Sequence, residues 1–118
     1  MRRGQVALAG GAAVIANDAG MADGALERMR GLIGRPPLTR GEALWLEPCS
    51  SVHTFGMRSE LDLAFLSSTK RIVKLAARVK PFRVSWALGA RATLELWPGA
   101  IEEMKLEVGD TLMWEEAP

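Results

Sequence analysis

The sequence predicts a mainly β fold, α+β by content: a small closed or strongly curved β-barrel of about 7–8 short strands with two short helices. Three observations carry this. Turn-forming residues recur about every eight to twelve positions, several segments between them alternate apolar and polar residues, and no β-α-β alternation runs along the chain. The 118 residues are expected to form one domain, 1–118.

In order, residues 5–16 hold Val6, Leu8, Val14 and Ile15 in weak alternation, read as two short strands turning at Gly10-Gly11. Asp23–Ile33 reads as a helix. Asp23 can cap its first turn, Leu26, Met29 and Ile33 share a face, and Gly34 with Pro36-Pro37 ends it. Ala43-Leu44-Trp45-Leu46 is a short buried strand stopped by Pro48. A long polar segment, Cys49–Glu60, leads into Leu61–Leu66, with Leu61, Leu63 and Phe65 on one face and Asp62 on the other. Ser67–Lys70 turns the chain into Arg71–Ala77, so 61–77 reads as a hairpin. Arg83–Leu88 alternates, with Val84, Trp86 and Leu88 on one side. Arg91–Trp97 follows, Leu94 and Leu96 opposing Thr93, Glu95 and Trp97. Pro98-Gly99 opens a short helix near Ala100–Lys105, and Thr111–Trp114 is the last strand. The tryptophans, each in an expected strand, are mostly expected in the core.

Composition narrows the function. Hydrophobic content of 48% and charged content of 25% are those of a soluble globular chain. A net charge of +1 argues against general nucleic-acid binding. No run reaches the roughly 18 apolar residues of a membrane helix, so no membrane span is expected. The single cysteine forms no internal disulfide, consistent with a reducing cytoplasm. Arg2 and Arg3 before the nearly uncharged Gly4–Ala16 loosely copy a signal peptide, but Gly4, Gln5, Gly10 and Gly11 make the apolar part thin. A cytoplasmic location is expected, with export as the alternative.

Charge is unevenly placed. Lys70, Arg71, Lys74, Arg78, Lys80, Arg83 and Arg91 fall between Ser68 and Thr93 without an acid. Acids dominate from Leu94 onward. The plain reading is solvated strand faces; the sharper one is a basic face for a small anionic ligand or an acidic protein.

Three blocks carry a family resemblance: Ala22-Asp23 with Arg28-Met29-Arg30-Gly31-Leu32-Ile33-Gly34-Arg35; Pro48–Arg58 with Leu61–Leu66; and Leu94-Glu95-Leu96 with Pro98-Gly99-Ala100 and Gly109-Asp110. In order and spacing the chain resembles the bacterial and archaeal domain of unknown function 192 family. The resemblance implies a compact β-barrel-like domain with short helices. It implies no activity, since the family has none established. The chain departs from the family in Ser67-Ser68-Thr69-Lys70, where members often carry an Asp-Gly-type turn. Many members also begin with a signal peptide or lipoprotein start, and this chain lacks a good one.

Candidate chemistry centres on 48–62. Cys49, His53 and Met57 are spaced four and four and offer soft ligands that would suit Cu(I). Cys49 with His53 could also serve as nucleophile and base. The plain alternative is that Cys49 and Met57 fill core space and His53 bonds locally. Asp62, flanked by leucines, needs a partner if buried, from Arg58, Arg35 or His53, or else clamps backbone. Trp97, beside Thr93 and Glu95, is a candidate stacking surface. The expected function is a small non-enzymatic ligand- or protein-binding accessory domain. Its pocket would lie near 48–62, with His53, Arg58, Asp62, Cys49, Met57, Arg35 and Trp97 as contacts. No cofactor is expected. A hydrolase or thiol enzyme using Cys49 and His53 is the alternative; a copper site at Cys49, His53 and Met57 is the third reading.

Overall fold

The structure is a computed structural model that describes residues 1–10, 13–22, 24, 36–54 and 59–118. Seven strands form one sheet: β1 (Arg2–Leu8), β2 (Val14–Ala22), β3 (Glu42–Leu46), β5 (Leu61–Leu66), β6 (Ile72–Val79), β8 (Ala92–Leu96) and β9 (Leu112–Glu116). Their order across the sheet is β6-β5-β8-β3-β2-β1-β9. Only β2 and β3 run parallel. A separate two-stranded arm pairs β4 (Ser51–His53) with β7 (Val84–Trp86). One four-residue helix, α1 (Ala100–Glu103), follows β8.

The expectation of a closed barrel is corrected: the sheet is open. Its edge strands meet only at one corner, where Arg71 bridges Thr111. There Ile72 N–H donates to Asp110 O (2.8 Å) and Leu112 N–H to Lys70 O (2.9 Å). No ladder between β6 and β9 continues beyond that corner among the described residues. The expectation of two short helices is met by one described helix; the helix expected over Asp23–Ile33 lies outside the described residues, apart from Gly24. The radius of gyration, 12.6 Å, sits near the roughly 13 Å expected for a compact chain of this length.

Alternation sends one set of side chains inward from every strand of the large sheet. Val6, Ile15, Ala19, Met21, Trp45, Ala64, Leu66, Ile72, Leu94, Leu96 and Leu112 meet there in one cluster. Trp45 and Trp114 pack edge to face, their ring centres 6.2 Å apart. β3, β5 and β8 are buried on both faces, which explains the near-continuous apolar runs in β3 and β5.

The outer face of these strands is covered by the arm and by the chain around Leu38 and Cys49. Its packing divides in two. Ala22, Leu44 and Leu46 form one cluster, and Leu61, Leu63 and Phe65 another. β8 lies between the strands that supply them.

The direction of β7 reverses expectation. Trp86, expected in the core, is exposed, as are Val84 and Leu88. The small Ala87 is the residue that turns to the outer cluster, beside Val52. Phe65 and the outer leucines already fill that space, so only a small side chain fits beneath the arm.

Candidate functional site

β8 begins beside the loop that precedes the arm. Cys49 N–H donates to Arg91 O (2.8 Å), and the Thr93 hydroxyl donates to Cys49 O (3.1 Å). Thr93 therefore ties the 48–62 segment to the outer face. Register then sets what surrounds the next outward residue of β8. Glu95 stands opposite Leu44 of β3 on one side and Leu63 of β5 on the other. Directly opposed residues place their Cβ atoms about 5 Å apart, so Glu95 fills the gap between the two apolar clusters.

Glu95 is 3% exposed, and its Oε2 has no hydrogen-bond partner among the described residues. Burial pushes its carboxyl up to about 8 from an ordinary 4.5, because the ion cannot be solvated there. At neutral pH the side chain is thus a neutral acid: one hydroxyl donor and a carbonyl acceptor inside an apolar wall.

The alternation of Arg91–Trp97 gives β8 one polar face, and this alone does not mark Glu95 as a site residue. A signal for it was present. β3 and β5 are apolar on both faces, and a strand between two such strands is itself buried on both faces. An isolated acid in its middle is then a buried acid.

Two depressions flank this face. One of about 350 Å³ is lined by Pro48, Cys49, Ser50, Ser51, Ala90 and Arg91, at the base of the arm. The other, about 210 Å³, includes Gly20 and Leu44, which stand in the same cross-strand row as Glu95. The ion-paired Arg3 and Asp18 lie at its rim.

The residues singled out from sequence are dispersed. The half-buried Cys49 donates its thiol to Ser51 O (3.1 Å). His53 is exposed on β4, opposite Val84. Ser50 O accepts from Ala87 N–H and His53 pairs with Val84, so the run between them is extended. It draws Cys49 and His53 apart along the chain, where a helix would stack them. Thr54 anchors the end of this run: its buried hydroxyl donates to Lys80 O (2.7 Å) and accepts from Arg83 N–H (2.8 Å).

Asp62 is fully buried on the inner side of β5. Its Oδ1 accepts from Arg78 N–H (2.8 Å) and Gly99 N–H (3.2 Å), and its Oδ2 from Ile101 N–H (2.8 Å). The carboxylate joins the end of β6 to the turn that starts α1. Arg78 has a positive φ of 49°, so this contact also stabilises an uncommon backbone state. Trp97 leaves the alternation as β8 ends. It is 5% exposed, packs in the inner cluster, and donates its indole N–H to Glu103 (3.3 Å). It lines a different depression, with Val14, Asn17 and Arg40. Arg35, Met57 and Arg58 lie outside the described residues. Among the described residues no three His, Cys, Asp or Glu side chains converge as a metal site.

These features define a class: a small open-sheet β domain with a neutral acid buried on its covered outer face. The chain belongs to the DUF192 family, described as "Uncharacterized ACR", which it matches over residues 6–114. It is 35% identical to a UPF0127 protein of Pyrococcus furiosus over 99 residues, 79% of this chain and 83% of that protein. It is 31% identical to a UPF0127 protein of Thermococcus sibiricus over 101 residues, 80% of this chain but 64% of that longer protein. A crystal structure of a protein of unknown function from Novosphingobium aromaticivorans shares the fold, with TM-score 0.79, 23% identity, and coverage of 95% of this chain and 84% of that one.

Proposed function

We propose that this chain is a small non-enzymatic ligand-binding domain, with its pocket on the outer face near the 48–62 segment and Glu95 as the central polar contact. The observation that carries the reading is the buried Glu95 Oε2, which has no hydrogen-bond partner among the described residues. A buried polar atom left without a partner costs about 1–3 kcal/mol, and an entering ligand that supplies the partner recovers it. A neutral acid donates its proton, so the ligand presents an acceptor oxygen. The acid-free basic stretch 67–93, which contains the neighbouring Arg91, favours a small oxyanion such as a carboxylate. Cys49, His53, Arg58, Met57 and Arg35 are the further contacts of this proposal. Asp62, with both oxygens engaged by backbone, holds the framework.

Thermal-shift titrations with acetate, phosphate, acetamide and guanidinium test it. Acceptor-bearing ligands are expected to raise the melting temperature at pH 6–7 and to lose the effect above the Glu95 midpoint of about 8. Glu95→Leu should abolish the response, and Glu95→Gln should keep a response that no longer varies with pH. Stabilisation by guanidinium alone, or an unchanged response in Glu95→Leu, would overturn the proposal.

A further inference from the structure

We propose that the outer face of the β4–β7 arm docks on an anionic lipid bilayer. The reading is independent of Glu95. A strand laid over a core ordinarily turns its large apolar side chains inward. β7 and the turn after it do the reverse: Val84, Trp86 and Leu88 are 55%, 59% and 93% exposed, with Phe82 at 69% just before them. Exposed apolar residues scattered singly need no explanation, but four within seven positions of the chain do.

The exposure of this patch selects the occupant. None of the four side chains lines the depressions that hold Gly20, Trp97, Cys49 or Gln5. Side chains this exposed suit a deformable apolar layer that closes around them better than a preformed peptide groove. The composition of the patch agrees, because tryptophan and phenylalanine favour the membrane–water boundary.

Charge agrees as well. Residues 67–93 contain no acid. Lys74 lies with its ammonium 5.7 Å from the Trp86 ring centre and donates to Trp86 O at 2.6 Å. Arg83 lies within the arm, its guanidinium bonded to Pro81 O and Phe82 O. Among the described residues Lys74, Lys80 and Arg83 form no ion pair, whereas Lys70 and Arg78 pair with Glu47 and Glu60 and Arg91 also acts on Glu47. Exposed apolar side chains in a segment whose bases lack acidic partners complement anionic headgroups. A second copy seated face to face would bring these bases together.

Co-sedimentation of the full chain with phosphatidylcholine vesicles, with and without about 30 mol % phosphatidylserine, tests this. The expected result is binding to the anionic vesicles with a blue shift of tryptophan fluorescence. Binding should weaken as salt rises from about 0.1 M to about 0.5 M. Trp86→Ser with Leu88→Ser should lower partitioning at least about ten-fold with an unchanged melting temperature, and Lys80→Glu with Arg83→Glu should lower it about twenty-fold. No partitioning, partitioning indifferent to these variants, tighter binding of polyglutamate through the same residues, or self-association blocked by Trp86→Ser would each overturn the proposal.

Discussion

Replacing Glu95 with glutamine should stabilise the protein, by an amount set by pH. In the folded chain the carboxyl titrates near 8; in the unfolded chain it titrates near its ordinary 4.5. Between these values the folded state holds a proton that the unfolded state has released. Stability is therefore greatest below the unfolded value and falls as pH rises through the folded one. Each pH unit in that window costs about 1.4 kcal/mol. At pH 7 about 2.5 units have been crossed, so the wild type has lost about 3 kcal/mol relative to a group that does not ionise. Glutamine has nearly the same shape, is buried at a similar desolvation cost, and carries no such dependence. Glu95→Gln should then be more stable by up to about 3 kcal/mol at pH 7, a rise in Tm of roughly 10 °C for a chain this size, and nearly equal to wild type at pH 4.5. Thermal or urea unfolding across pH 4.5–9 reads both curves. Parallel curves for wild type and variant, or a wild type that gains stability from pH 5 to 8 through Glu95, would refute the reasoning.

Three further outcomes follow from the same contacts. Asp62→Ala removes the acceptor for three backbone amides and should cost at least about 3 kcal/mol in urea unfolding, with Asp62→Asn costing less because one acceptor oxygen remains. Thr54→Val keeps the shape but removes the hydroxyl bonded to Lys80 and Arg83, so it should cost about 1–3 kcal/mol and speed amide exchange in β7. Trp86→Ser alone should shift stability by less than about 0.5 kcal/mol, because the ring is largely in solvent and its burial contributes little to the folded state.

Much of the fold was legible. The β5–β6 hairpin, the pairing-competent alternation of β7 and β8, and the short helix after Pro98-Gly99 all lie where apolar period and turn residues put them. β2 ran longer than its alternation suggested, to Ala22, because Asn17-Asp18-Ala19-Gly20 has little strand propensity and is held by neighbours on both sides. Sheet closure was illegible, since it depends on how far β6 and β9 stay in register after Arg71 meets Thr111. The site divides the same way. Of the polar stretch 48–62, Cys49 and Val52 pack on the outer face, but the buried acid of that face, Glu95, comes from β8. Alternation shows that Glu95 and Trp86 each oppose a neighbour; it does not show which side of the strand the core occupies. Tertiary packing decided both, burying the acid and exposing the tryptophan.

The most direct measurement is a carbon-13 NMR titration of the side-chain carboxyls, with the Glu95 resonance assigned by its absence in Glu95→Gln. The structure predicts a midpoint about 8 for this one signal, hence a neutral acid on the covered face at pH 7. A midpoint near the ordinary 4.5 would contradict both the buried, unpartnered carboxyl and the binding site built on it.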